Sequence, residues 1–262
     1  MRTIALVKER AGTDHLFFAV IAVVISVLGI SGFWFTYFGP IIDKTYPPAG
    51  VPLHLHGWSF FLWLVLFPLQ AILIGRQRRS LHKVLGRTSV VLVLLMTLTG
   101  LLVVSVRADE AAREGGPLVW LLYGPLFFSI LVLFVAFYTA SIRMALTNRW
   151  QAHKRLMIIA SAIGVAAGIS RWVMILSGFH PLSIPIGVLS CSVFLMIGMV
   201  YDLVTRRSVH LAYWIGLATF VFIMIPLLPQ VSEGNVAWVN QWLAALGEQL
   251  GFLYAPEPTV EF

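Results

Sequence analysis

The stretch 53–87, LHLHGWSFFLWLVLFPLQAILIGRQRRSLHKVLGR, decides the fold class. It contains a mostly apolar run of about 20 residues, which is the length that an α-helix needs to cross the hydrocarbon core of a bilayer. His54 and His56 stand at one end of the run, and His82 follows a group of arginines at the other. The stretch therefore predicts a transmembrane helix with polar groups at both of its ends.

Composition extends this interpretation to the whole chain. Of the 262 residues, 59% are hydrophobic and only 11% are charged, which leaves too few charges for a water-soluble surface. Apolar runs of the same kind predict an all-α integral membrane bundle of seven helices, with residues 1–230 as the transmembrane domain. The predicted spans are 16–38, 52–74, 88–106, 117–142, 156–178, 182–201 and 210–228.

The distribution of charge predicts the orientation, because lysine and arginine collect in cytoplasmic segments. With the N-terminus in the cytoplasm, 14 of the 18 basic residues fall in inner segments and eight of the 11 acidic residues in outer ones. The net charge of +7 is thus a topology signal and not a nucleic-acid-binding signal. We expect a multi-pass protein of the bacterial inner membrane with its C-terminus outside, and the first run is retained because it is too long for a signal peptide.

Residues 231–262 form a second predicted unit on the outer face. The segment NVAWVNQWLAALGEQLGFLY starts with Asn235 as an N-cap. Apolar residues follow at helical spacing, which predicts an amphipathic helix along the membrane surface. These residues are Val239, Trp242, Leu246, Leu250 and Leu253. The helix either anchors in the headgroups or docks onto a partner subunit.

Two histidines on the inner face are candidate cofactor ligands. His82 and His153 each follow a basic loop and precede the third and fifth spans, in RRSLHKVLGR and RWQAHKRLMI. A bis-histidine haem needs one imidazole from each of two helices at similar depth, so the pair predicts a haem b or other metal site. Gln70 lies close to the same depth, and His15 or His210 could replace either ligand. The alternative is that these histidines bond to lipid phosphates or helix ends.

A second candidate site lies on the outer face. His54 and His56 are candidate metal ligands, but residues two apart on a helix point about 200° from one another, so only one of them faces the bundle. Arg171 falls within the fifth span at the depth of His56, and a charge within a span is costly. We therefore expect Arg171 and His56 to share a site in which the arginine binds a haem propionate or a quinone oxygen. Alternatively, Arg171 reaches an acidic residue of an outer loop.

Three segments of the chain carry a family resemblance. They are LHGWSFFLWLVLFPLQAILI, LHKVLGR and HKRLMIIASAIGVAAGISRW. Together they resemble a group of uncharacterised bacterial multi-pass membrane proteins. The resemblance covers helices two to five. It rests on His56, Gly57, Gln70, His82, Gly86, Arg87, His153, Met157 and Arg171. The histidine-bearing helices are more distantly similar to transmembrane di-haem cytochromes b, which implies electron transfer between two bis-histidine haems. Here only the inner face has a pair on two helices.

Two functional hypotheses follow. The first is a haem b- or metal-binding protein of membrane electron transfer, with a quinone as partner. The second is a non-catalytic accessory subunit or assembly factor of a larger membrane complex. A transporter ranks below both, because the spans lack paired acidic residues, an obvious inverted repeat and broken helices in matching positions. No carboxylate falls within a predicted span to act as an acid or a base. Nucleophile, metalloprotease and nucleotide motifs are absent from the sequence, and whether the protein is an enzyme stays open.

Overall fold

A computed structural model describes residues 2–114, 118–180, 182–224 and 237–253 of the chain. These residues form helices joined by short connections, and no strand occurs among them. The helices are α1 (Arg2–Ser31), a π-helical turn (Trp34–Phe38), α2 (Gly39–Ile42), α3 (Val51–Gly75), α4 (Arg79–Glu114), α5 (Leu118–Leu146), α6 (Trp150–Gly164), α7 (Ala166–Leu176), α8 (Ser183–Ser190), α9 (Ser192–Arg206), α10 (Leu211–Phe222) and α11 (Ala237–Leu250), with a 3₁₀ turn at Gly251–Leu253. The predicted all-α class is confirmed.

Five segments in the described part of the chain are long and apolar enough to cross a membrane, and a bent pair makes a sixth. The five are Thr13–Ile42, Val51–Gly75, Arg79–Arg113, Tyr123–Leu146 and Ser183–Arg206. The sixth consists of α6 and α7, which meet at a bend of 46°. In the seventh predicted run, α10 is only a short apolar helix and residues 225–228 lie outside the described residues. The seventh span and the orientation of the termini stay predictions.

The core runs through the centre of the bundle and draws side chains from most of the helices. Sequential neighbours pack together, so that α3 contacts α1 and α4 while α5 contacts α4 and α6. Fully buried apolar residues at the centre are Ile25, Leu64, Leu126, Ile159, Leu195 and Phe220. Large apolar side chains on the outside of the same helices, such as Val91 and Val200, are exposed. This is the arrangement expected when lipid, and not water, surrounds the bundle.

Glycines bring α1 and α7 into backbone contact. A Cβ atom at Gly168 would overlap the carbonyl oxygen of Gly29, and one at Gly32 would overlap the carbonyl oxygen of Gly168. Small residues permit such an approach between membrane helices, where dispersion contacts replace the hydrophobic effect as the driving force. The same face continues at Ser170, against which Gly187 of α8 packs. The small-residue surface of the fifth span therefore serves helix packing.

The helix α11 packs against the C-terminal end of α4, which is predicted to face outward. Val239 and Leu243 of α11 are buried with Val104 and Ala108 of α4. One turn further along, Gly247 approaches the backbone of α4 so closely that a Cβ atom there would overlap a carbonyl oxygen. The buried face thus repeats every four residues from Val239. The predicted face ran through Trp242 and Leu246. The buried face differs from it, and α4 covers this face instead of lipid.

Candidate functional site

The two histidines predicted on the inner face, His82 and His153, come together in the structure. His82 lies in the first turn of α4 and His153 in the first turn of α6. Their ring centroids are 6.5 Å apart, and the ring planes are nearly perpendicular at 85°. Both histidines are half-buried. The sequence placed them just before the spans, but α4 and α6 extend past the apolar runs and carry both rings as helical residues.

Backbone carbonyls hold the Nδ1 atom of each ring. Nδ1 of His82 lies 3.3 Å from the carbonyl oxygen of Gln70, and Nδ1 of His153 lies 3.0 Å from that of Ser141. When Nδ1 donates its proton to a carbonyl, the lone pair of the neutral ring lies on Nε2. Metal-ligating histidines almost always have such a partner, since it sets both the tautomer and the orientation of the ring.

The Ser141 hydroxyl adds a second contact to His153. It donates to the carbonyl oxygen of His153 at 2.9 Å, and its oxygen lies 2.8 Å from Nδ1. Because its hydrogen is used on the carbonyl, the hydroxyl oxygen can only accept from Nδ1. Both contacts of Nδ1 therefore favour the tautomer with a free Nε2 lone pair.

The Gln70 side chain joins α3 to α4 beside the histidine pair. In the amide orientation that satisfies both of its ends, the nitrogen donates to Nδ1 of His82 at 2.5 Å and to the carbonyl oxygen of His82 at 3.1 Å, and the oxygen accepts from the Gly86 N–H at 2.9 Å. In this orientation Nδ1 of His82 is an acceptor, so the proton of its neutral ring lies on Nε2. Gly86 has no side chain to obstruct this approach. The structure thus brings the predicted Gln70 to the predicted His82.

The ligand set suits a haem better than a bare metal ion. Within residues 2–114, 118–180, 182–224 and 237–253, no group of three or more His, Cys, Asp or Glu residues could hold a metal ion. A structural zinc site takes four such ligands and a catalytic one takes three. A haem brings four nitrogens of its own and needs at most two axial ligands from the protein. Two imidazoles from two helices fit that number, and the Nδ1 contacts of His153 leave its Nε2 lone pair free.

The outer histidines face different neighbours. Nδ1 of His54 lies 2.9 Å from the Tyr37 hydroxyl, whereas Nδ1 of His56 lies 3.2 Å from the carbonyl oxygen of Met96 and 3.3 Å from Oγ1 of Thr99. His54 therefore turns towards the π-helical turn, and His56 turns towards α4. The divergence expected from their spacing is present, and the structure does not bring the candidate metal ligands His54 and His56 to one point.

Arg171 binds neighbours other than His56. Its Nε donates to Oγ1 of Thr36 and its Nη1 to the carbonyl oxygen of Ala167, both at 2.8 Å. The guanidinium also lies 4.0 Å from the centre of the Phe33 ring. In the described part of the chain, no ion pair joins Arg171 to a carboxylate, and no bond or ring contact joins it to His56.

Tyr46 lies near Arg171, in the connection between α2 and α3. Its ring contacts His54 at 5.7 Å between centroids. Burial raises the pKa of Tyr46, and the positive charges of Arg171 and Arg107 act in the opposite direction. The outer face therefore gathers a phenol, an imidazole and two guanidinium groups from separate segments.

A buried ion pair on the predicted inner side was not expected from the sequence. Arg155 of α6 donates from Nε to Asp202 of α9 at 2.8 Å, and its Nη2 bonds to the other carboxylate oxygen. Asp202 lies within the span Ser183–Arg206, so the expectation that no span contains a carboxylate was wrong. The predicted sixth span ended one residue before Asp202. The runs HKR and YDLVTRR, both at inner ends of spans, are the signal that could have indicated the pair.

A second carboxylate extends this cluster to α1. Asp14 accepts from Lys154 at 2.5 Å, from Arg206 at 2.6 Å and from the Tyr201 hydroxyl at 2.9 Å. Arg206 also lies 3.4 Å from Asp202. The inner charge cluster, defined as Asp14, Lys154, Arg155, Asp202 and Arg206, therefore ties together α1, α6 and α9.

A bundle of apolar helices, charged at its ends and surrounded by exposed aliphatic side chains, defines an integral membrane protein. A family described as predicted membrane protein (DUF2306) matches residues 51–209, more than half of the chain, and the chain belongs to that family. The match runs from the start of α3 to just beyond α9 and includes both inner histidines. No curated protein and no solved structure matches the chain. The resemblance to a membrane protein family is confirmed, and the similarity to cytochromes b stays a prediction.

Proposed function

We propose that this membrane protein binds haem b through His82 and His153 and takes part in membrane electron transfer. The observation that carries the proposal is the approach of two imidazoles from two helices to 6.5 Å, with each Nδ1 beside a backbone carbonyl. Imidazoles on opposite sides of one metal, with bonds of about 2 Å, have ring centres about 6 Å apart. The observed separation is close to that value.

The residues of the chain would hold the two ligands in place. The carbonyl of Ser141 retains the Nδ1 proton of His153, and the Gln70 carboxamide holds the ring and the backbone of His82. Both α4 and α6 pack against α5, which sets the distance between the ligands. When bound, the haem would supply one-electron redox chemistry.

Arg171 is too far from this pair to bind a propionate of the same haem. It follows His153 by 18 residues, which is about 27 Å along a straight helix. We propose instead that Arg171 donates to a quinone oxygen at the outer face. Support comes from a guanidinium that has no carboxylate partner among the described residues and that lies beside Thr36 and the Phe33 ring. A cation of this kind within a span usually marks a functional site.

The haem proposal is tested by absorption spectroscopy of the full chain, purified in detergent after expression with added haem. We expect a b-type band on reduction with dithionite and one haem per chain. His82→Ala and His153→Ala should each remove the band. His180→Ala and His210→Ala are the matched controls and should retain it, because neither residue belongs to the pair. Gel filtration and far-UV circular dichroism show whether each variant is folded.

A folded wild-type protein without a haem band would contradict the proposal, as would a band that survives both ligand substitutions. The accessory-subunit hypothesis would then be tested by identifying the proteins that copurify from native membranes. The exposed Trp238 on α11 is a residue through which such a subunit could make contact.

A further inference from the structure

A groove opens on the inner face between the end of α5 and the first turns of α6 and α10. Its volume is about 570 Å³. Arg149, Trp150, Gln151 and His210 line its polar end. Leu156, Leu211 and Ile215 line the remainder. One end of the groove is therefore polar and cationic, and the other is aliphatic.

The polar end presents hydrogen-bond donors. Arg149 is exposed and forms no ion pair within the described ranges of the chain. Nδ1 of His210 accepts from the N–H of Ala212 at 3.1 Å, so the proton of the neutral ring lies on Nε2. Arg149 and His210 thus offer N–H groups to a ligand in the groove.

Positive charge also lies behind the polar end. Gln151 connects the groove to the inner charge cluster, because its Oε1 accepts from Nη1 of Arg155 at 2.9 Å. The cluster contains more cations than carboxylates. Its cations are Lys154, Arg155 and Arg206, and its carboxylates are Asp14 and Asp202. The potential around His210 therefore favours an anion.

The aliphatic end is exposed on the surface of the bundle. Leu211 is 67% exposed, and Ile215, one turn further along α10, is 50% exposed. A hydrocarbon chain along these two residues would remove apolar surface from the groove without displacing a polar contact. A ligand with an anionic head and a hydrocarbon tail matches both ends.

We propose that the groove binds an anionic phospholipid, with its phosphate against Arg149 and Nε2 of His210 and an acyl chain along Leu211 and Ile215. The cytoplasmic leaflet contains anionic lipids, and basic pockets between membrane helices bind their headgroups. The site does not include His82 or His153. The proposal is therefore independent of haem binding.

Trp150 provides a local probe for this lipid. The full chain is reconstituted into phosphatidylcholine vesicles that contain a fixed minor fraction of brominated phosphatidylglycerol or brominated phosphatidylcholine. The emission of Trp150 is obtained as the difference between the wild type and Trp150→Phe. We expect the anionic lipid to quench this emission more strongly than the zwitterionic one. The apparent preference for the anionic lipid should be about fivefold for each cation of the protein that binds it.

The variants test the phosphate contact directly. Arg149→Gln should abolish the preference and Arg149→Lys should largely restore it. Arg78→Gln, which removes an exposed cation of another inner loop, should leave it unchanged. Equal quenching by both lipids in the wild type, or an undiminished preference in Arg149→Gln, would overturn the proposal. Displacement by inorganic phosphate at constant ionic strength would also overturn it, since the site would then bind a free anion.

Discussion

Arg155 and Asp202 form an ion pair from which solvent is excluded, with 1% and 0% of their side chains exposed. They come from α6 and α9 and are separated by 47 positions in the sequence. Two charges buried together cost desolvation energy, which their attraction and hydrogen bonds must offset. Gln151, which accepts from Arg155, and the N–H of His210, which donates to Asp202 at 3.2 Å, supply further hydrogen bonds.

The first prediction concerns the loss of one partner of this pair. Asp202→Asn leaves the Arg155 guanidinium buried without its carboxylate, and we expect the free energy of unfolding to fall by about 3–5 kcal/mol. Denaturant or thermal unfolding in a mild detergent measures the change. Asp43→Asn is the control and should leave stability nearly unchanged, because Asp43 is exposed. If Asp202→Asn and the wild type have the same unfolding midpoint, the ion pair does not stabilise the fold.

A second prediction tests the contact between α1 and α7. Gly168→Ala places a methyl group on the carbonyl oxygen of Gly29, and the helices must separate to accommodate it. We expect a destabilisation of about 1–3 kcal/mol, which is typical of overpacking. Gly57→Ala is the matched control, since nothing lies within 4 Å of a Cβ atom there. It should be neutral or stabilising by up to about 1 kcal/mol, because alanine favours a helix. Equal melting temperatures for the two variants would contradict this account.

The third prediction concerns Gln70 and depends on the haem proposal. Gln70→Leu removes the carboxamide that joins His82 to Gly86, so the ligand is less well oriented. We expect the apparent affinity for haem to fall by about 10–100-fold, as is typical when a residue that positions a metal ligand is substituted. Transfer of haem to an acceptor protein measures this affinity. Gln249→Leu, on the exposed face of α11, should have no effect.

A fourth prediction tests the orientation of the chain in the membrane. Cys191 is fully buried, so a new cysteine can be labelled against a low background. We expect Phe252→Cys to react with a membrane-impermeant maleimide in intact spheroplasts, because Phe252 is 75% exposed and lies on the predicted outer face. Leu146→Cys, at an inner-face position that is 80% exposed, should react only after permeabilisation. The reverse pattern would place the N-terminus outside.

The apolar runs were sufficient to predict most of the membrane helices. The second predicted span, 52–74, nearly coincides with α3, because a span is defined by local hydrophobicity and its length follows from the bilayer. The bend at Val165 was not predicted. Beyond the bend, α7 packs against α1 through Gly29 and Gly168, and such contacts between distant parts of the chain cannot be predicted from local hydrophobicity.

The candidate site was predictable in part for a similar reason. His82 and His153 follow comparable basic loops, and equal depth on two helices allowed them to be paired. Depth alone could not pair His56 with Arg171, because it does not determine which way each side chain points around its helix. In the structure His56 contacts α4, whereas Arg171 contacts the segment that follows α1.

The position of Asp14 has a consequence for biosynthesis. This carboxylate lies at the start of the first span, yet its partners Lys154 and Arg206 are 140 and 192 residues further along the chain. During synthesis α1 would enter the membrane with Asp14 still unpaired, and the residue would stay at the water interface until α6 and α9 had been made. The first helix is therefore expected to be among the last to settle, and truncation before Arg206 should leave it vulnerable to membrane proteases.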